Sequence, residues 1–516
     1  MRKKVVNILV VCVVVTVPVV VIQLCREEPG MPADTTPAGT LPNTRPDLDG
    51  CVVPPNIAPL NFVIEEPGTE YRVRIRASGG EGFDISARGR SVVIPIRSWR
   101  ELLSASRGGM IFIDIAAARE DGSWVKYKPV QVTVAREDID SHLAYRLLGA
   151  VFHMWGKMGI YQRNLTCYDQ QPVLETRKRE SPCMNCHSFA RNDPGRFSLQ
   201  VRSGSSSESS SGMIVVGDGT VGRAEPDPDV IPRLPAYTAW HPSGKLAAFS
   251  INRIGQFMRN TGVEMREVFD LDSDLALINF ETGKSSTDAA IAAPGRMETF
   301  PNWSPDGRWL YFCSAPRTWP DGVEVPSMED CRRVRYDLVR APYDVATGKW
   351  GDPEILLTAE KTGRSLLEPR VSPDGRYLLF CMADHGAFPV YDPTSDVYIM
   401  DLETRLYRRL GANSDRADSW HSWSSNSRWI VFSSKRDDGL YAVPYFSYID
   451  TDGRDHKPFP LPQRDPAMYE TFLKTYNVPE FLTGPITVKQ RQLVEAIDEE
   501  DSTGADKEIR GMQPWD

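Results

Sequence analysis

From Ile57 to Arg136 the chain reads as a series of short strands separated by Gly-rich turns. Residues Tyr71 to Arg76 and Val130 to Val134 alternate apolar and polar positions, the two-residue period of a strand with one face buried. Ser91 to Ile96 and Met110 to Ile115 are more continuously apolar. Four such runs in about eighty residues predict a small β-sandwich over 57–136. The period then lengthens. Ile139, Leu143, Leu147, Leu148, Val151, Phe152, Trp155 and Met158 keep helical spacing, and Asp138 or Asp140 can cap the start. His142, Arg146, His153 and Lys157 fall on the opposite stripe, so a helix is predicted over 138–158.

A repeated unit follows Pro226. Trp240-His241-Pro242-Ser243-Gly244 leads into Leu246–Ser250, and Trp303-Ser304-Pro305-Asp306-Gly307 leads into Trp309–Cys313. Val371-Ser372-Pro373-Asp374-Gly375 and the worn copy Trp423-Ser424-Ser425-Asn426-Ser427 do the same. Each copy is a turn feeding an apolar strand, followed by a second strand that ends in another turn, such as Leu275 to Gly283. This unit resembles the TolB-type β-propeller repeat with its W-S-P-D-G turn. The resemblance implies blades of four antiparallel strands around a central channel over 226–465. Four copies are fewer than a closed ring usually has, so flanking segments are expected to complete it.

The two ends differ from the middle. Arg2, Lys3 and Lys4 precede an apolar run from Val5 to Leu24. Twenty residues at ~1.5 Å each span roughly 30 Å, enough for a membrane. The basic flank stays cytoplasmic and everything beyond is exported. Residues 1–27 are expected to be a membrane anchor, or a signal segment if cleaved, although no small-residue cleavage site is evident. Eight prolines between Pro29 and Pro59 suggest a semi-rigid linker over 28–56. Residues 466–516 are expected to form a C-terminal extension with an acidic tail.

Composition narrows the partners. With 60 Lys and Arg against 69 Asp and Glu, the net charge is -9, which argues against nucleic acid. No G-x-S-x-G, P-loop or dinucleotide fingerprint occurs, so no enzyme class is indicated.

One chemical motif stands out. Cys183-Met184-Asn185-Cys186-His187 is C-x-x-C-H, the signature of covalent haem c attachment. Two thiols one helical turn apart can each reach a vinyl group, and His187 then offers its imidazole to the iron. Competing readings are a small Cys183–Cys186 disulfide loop and a zinc site adding Cys167. The combination of anchor, sandwich, helix, C-x-x-C-H and propeller resembles bacterial envelope proteins of the Bacteroides lineage, TolB-like propellers carrying a cytochrome c signature. That resemblance implies a mainly β fold with a helical haem-motif segment over 137–225, but no substrate. The family pattern carries a His near the position of Gln200, which leaves the distal ligand open. His241, a bulky residue where other copies have Ser304, Ser372 and Ser424, is one distal candidate, and Met158 is the second. A disulfide is expected between Cys313 and Cys331, which would close one loop within a blade.

Two functions follow from these readings. The first is an envelope-anchored haem protein in electron transfer or redox sensing, meeting a redox partner protein. The second is a propeller that binds an envelope protein or glycan without redox activity.

Overall fold

The computed structural model describes residues 29–149, 158–175, 183–202, 212–224, 226–233, 235–258, 266–320, 322–323 and 325–498. The expected anchor, the run through residues 5–24 and the acidic tail beyond 498 lie outside the described residues. Among those described, no helix is long and apolar enough to cross a membrane.

Six four- or five-stranded sheets follow one another as propeller blades. Their innermost strands are Lys474–Leu482, Cys183–Phe189, Ala236–Trp240, Arg296–Trp303, Ser365–Val371 and Asp418–Trp423, in blades 1 to 6 respectively. Each innermost strand packs beside those of the neighbouring blades, and blade 1 meets both blade 2 and blade 6, so the ring is closed. Blade 1 closes it with strands from distant parts of the chain. His142–Gly149, Gly159–Asn164 and Gln170–Glu175 supply three strands, and Lys474–Leu482 pairs antiparallel with the first of them. The flanking segments thus complete the ring that the four visible repeats began.

The repeat's Trp ties blade to blade. Trp240 Nε1 donates to the Ser188 carbonyl at 3.1 Å, and Trp423 Nε1 donates to the Arg370 carbonyl at 3.0 Å. In the turn, Ser304 Oγ accepts from Trp309 N at 3.0 Å, and Asp306 Oδ1 accepts from Arg308 N at 3.1 Å. The third and fourth copies repeat this pattern. Gly307 has φ 71°, and a Cβ there would meet the His241 ring at 2.3 Å, so both conformation and space require glycine.

The N-terminal module has two sheets, seven-stranded and three-stranded, with a helix at Ile96–Ala105. The alternating runs form its long strands, and Val73, Ile75, Val132 and Val134 are buried. Its core continues into the ring through Trp429, Phe446, Tyr476 and Phe481. The Pro-rich stretch differs from the expected spacer. Thr36–Pro37, Thr44–Arg45 and Val52–Val53 join the module's sheets, and Leu48, Cys51 and Val53 are buried. Prolines at strand edges are compatible with pairing there.

Three further expectations are corrected. The predicted helix over 138–158 is a strand at His142–Gly149, paired on both sides; residues 150–157 lie outside the described residues. Tertiary pairing overrides the helical spacing, because this segment is an inner member of a blade. The haem-motif segment is likewise strand, not helix: Cys183–Phe189 is the innermost strand of blade 2, with a register shift between Asn185 and Ser188. The C-terminal extension contains the closing strand Lys474–Leu482 and a helix at Gln490–Asp498.

Candidate functional site

The innermost strands share a local device. Tyr237, Phe300, Glu368, Trp420 and Val478 have φ of 51°, 55°, 54°, 49° and 48°, each inside or beside a register shift. A left-handed non-glycine residue costs backbone energy, and its recurrence at one position of five blades marks it as part of the ring's geometry. Two residues further along, the chain presents Ala239, Asn302, Arg370, Ser422 and Glu480. Ser188 holds that place in blade 2. These six positions line a cavity of about 310 Å³ that the repeat turns surround with Pro242, Ser304, Pro305, Pro373 and Ser425.

Three charged residues line this funnel, Arg191 at its exposed rim, Arg370 and Glu480. Arg370 is half-buried, and its guanidinium makes no hydrogen bond among the described residues. Glu480 accepts from Phe189 N at 3.2 Å. Burial pushes its carboxyl up to about 7, against the opposing charge of Arg370. Beside these three the wall is neutral: hydroxyls, the amides of Asn192 and Asn302, proline rings and indole faces.

His187 lies just behind this wall. It is 2 % exposed, its nearest charged neighbour is Glu480 Oε1 at 3.8 Å, and Phe189 stands edge-on with ring centroids 5.7 Å apart. Among the described residues neither ring nitrogen meets a partner at full hydrogen-bond geometry, although the Val478 backbone lies close enough to act on the ring. Burial, helped by the charge of Arg146, lowers its pKa to about 3, so the ring is neutral at physiological pH. His187 occupies the blade position held by Thr238, Pro301, Pro369, His421 and Pro479 elsewhere, a place inside the wall.

The motif runs along a strand, so the helical-turn spacing expected of the two Cys residues is not realised; the side chains of Cys183 and Cys186 lie outside the described residues. The described residues leave no open face at His187 for a porphyrin, and the funnel beside it is lined by Ser188 and Phe189 instead. Cys167, the extra ligand of the zinc reading, sits in the hairpin between Asn164 and Gln170 beside Arg100.

The distal candidates have other duties. His241 Nδ1 accepts from Ser243 N at 3.1 Å and pairs with Ser243 Oγ at 2.8 Å, while Nε2 pairs with the Gly307 carbonyl at 3.1 Å. With Trp303 edge-on at 4.8 Å, the imidazole staples two neighbouring turns and has no nitrogen left for a metal. Burial lowers its pKa. Met158 is core, packed with Met184, Phe189 and Phe197. Gln200 donates to Thr238 Oγ1 at 2.8 Å. Cys313 and Cys331 are buried free thiols, so the expected disulfide is not formed. Cys313 packs near Glu368 and Asp270 across the blade 4–5 seam, whereas Cys331 sits on the helix Met328–Arg333 near Glu267.

Arg370 and Glu480 escaped the sequence reading. Both lie in inner strands upstream of, or outside, the recognisable turns. Aligning Glu368-Pro369-Arg370-Val371 with Phe300-Pro301-Asn302-Trp303 and Val478-Pro479-Glu480-Phe481 would have exposed them as the charged members of a neutral ring.

No protein family and no curated protein matches the sequence. Among solved structures, TolB from Acinetobacter baumannii is similar over 75% of this chain and 85% of that one, with 13% identity and a TM-score of 0.41. A nidogen/laminin complex chain aligns with 66% of this chain and 99% of its own, at 9% identity and a TM-score of 0.35. The Dos1 propeller aligns with 55% of this chain and 63% of its own, at 12% identity and a TM-score of 0.34.

Proposed function

We propose that this chain is a binding module of the bacterial envelope, and that its ligand site is the funnel at the centre of the propeller. The observation that carries the reading is Arg370. A guanidinium with no hydrogen-bond partner among the described residues, set in a cavity walled by Asn302, Ser422 and Ser188, offers a bidentate fork to a carboxylate. Glu480 supplies a second polar anchor on the same wall, suited to a backbone amide or a hydroxyl of the same ligand. The cavity is large enough for a few residues of an extended chain, not for a folded surface. An acidic segment or free C-terminus of a partner protein is therefore the ligand class. Redox chemistry has no part in this reading.

The test uses fluorescence anisotropy with short peptides bearing free or amidated C-termini. Carboxylate-bearing peptides should bind the full chain, and Arg370→Gln should weaken them by at least about tenfold, the range for loss of a charged hydrogen-bond partner. Equal binding by wild type and variant would sink the assignment. An absorption spectrum of protein made in a haem-attaching host discriminates the cytochrome reading, since a Soret band retained after denaturation would replace the present proposal.

A further inference from the structure

The seam between blades 5 and 6 holds a second polar cluster, separate from the funnel lining. Glu368, Cys381 and His421 are 2%, 0% and 3% exposed. Cys381 Sγ lies 3.6 Å from Glu368 Oε2 and 3.6 Å from His421 Nδ1, and the three donor atoms all fall within 4.8 Å of one another. Among the described residues, two more atoms there, Glu368 Oε1 and His421 Nε2, are buried with no partner at full hydrogen-bond geometry, although the Leu379 and Glu368 backbone lies close enough to act on the His421 ring.

The fold does not ask for these residues. At the left-handed position of Glu368, the other blades carry Tyr237, Phe300, Trp420 and Val478. At the strand position of Cys381, blades 3 and 6 carry Ser250 and Ser433, and blade 4 carries Cys313, a buried thiol with no imidazole clustered beside it among the described residues. Among the described residues, a carboxylate, a thiol and an imidazole converge only at the seam of blades 5 and 6. A buried carboxylate is costly unless paired, and so is an imidazole with an unmet nitrogen.

We propose that Glu368, Cys381 and His421 form a binding site for a divalent cation of the zinc class. Zinc bonds of about 2.3 Å to sulfur and about 2.0–2.1 Å to nitrogen, at a tetrahedral angle, place those two donors roughly 3.6 Å apart. Cys381 and His421 already stand at that separation. A thiolate and an imidazole select zinc or cobalt over magnesium and calcium. The second oxygen of Glu368 or a water completes the coordination. On binding, the Cys381 proton leaves to solvent, and two negative ligands neutralise the cation. Arg370 is close enough to act on Glu368 and His421, and Glu480 stands near it as a countercharge. Trp420 N donates to Glu368 Oε2 at 2.8 Å and fixes the carboxylate from the adjacent blade. The cation would pin two adjacent blades at their inner strands, a structural site with no open path to substrate.

The test loads the full chain with cobalt(II) after chelator treatment, in a Cys183→Ser, Cys186→Ser background that removes the other motif. One equivalent should produce a thiolate-to-cobalt charge-transfer band and a raised melting temperature, and zinc should displace the band. Cys381→Ser should abolish the band, and His421→Asn should lower zinc affinity by more than roughly 100-fold, since even loss of a supporting hydrogen bond costs 10–100-fold. Because serine occupies the Cys381 position in two other blades, the serine variant should fold, and its unchanged metal-free melting temperature checks this. No thiolate band in the parent, or an equal band in Cys381→Ser, would overturn the proposal.

Discussion

Single buried groups dominate the electrostatics of this molecule. Glu298 in blade 4 is 2 % exposed; Ser314 Oγ donates to its Oε1 at 2.7 Å, but Oε2 has no partner. Burial pushes its pKa up to about 7, with Asp274 adding to the rise. The sign of the linkage is fixed by that direction. Below pH ~4.5, the ordinary glutamate range, the group is protonated in both folded and unfolded chains and costs nothing. Between about 4.5 and 7 the unfolded chain releases the proton while the folded one keeps it, so stability falls as pH rises. Glu298→Gln removes this slope. Urea unfolding of the two proteins should give similar midpoints near pH 4, and the variant should gain up to about 3 kcal/mol by pH 8. A pH-independent difference would show that Glu298 is ionised in the fold.

At the scale of elements, the closing strand Lys474–Leu482 has the greatest leverage. Phe481 is fully buried, with its ring 5.8 Å from that of Phe446, in the core shared by propeller and N-terminal module. Phe481→Ala should cost about 3–5 kcal/mol and appear as a lowered thermal midpoint with faster proteolysis around residues 466–473. This strand also shows what was legible in the sequence. Turns with strict chemistry, such as Ser304-Pro305-Asp306-Gly307, announce a blade because their hydrogen bonds demand those residues. The strands of blades 1 and 2 lack that turn. The spacing of Leu143 and Leu147 fits either period and Leu148 fits only the helical one, which is why His142–Gly149 reads as helix; Leu143 and Leu147 are buried, but in a sheet. Cys183–Phe189 was misread because C-x-x-C-H carries a chemical meaning independent of its backbone. The funnel was not legible either, since Arg370 and Glu480 come from blades 5 and 1 and meet only when the ring closes.

On the scale of the whole molecule, the N-terminal module is fastened to the ring beside its closure. Glu137 accepts from the Tyr448 hydroxyl at 2.8 Å through Oε2, and Asp140 accepts from Ser425 N at 2.7 Å. Asn61 Nδ2 donates to the carbonyls of Gln463 and Arg464 at 3.0 and 2.9 Å. Arg163 Nη2 reaches the Pro462 carbonyl at 2.7 Å. These bonds bridge residues hundreds apart in sequence and hold the approach to the closing strand. A chain ending at residue 473 should therefore keep a folded N-terminal module, yet lose cooperative melting of the propeller and self-associate. Size-exclusion chromatography and calorimetry check both; a monomer with an intact high-temperature transition would refute it.

Because the last-made strand completes the first-made blade, the ring tests its own completeness. A chain cut short by a nonsense codon or clipped before Leu482 leaves the unpaired edge of His142–Gly149 bare, an adhesive strip that neighbouring chains or quality-control proteases can seize. The funnel also has no Glu480 until that moment. On the proposed function, half-made molecules would hold only part of the site while showing the bare edge that betrays them.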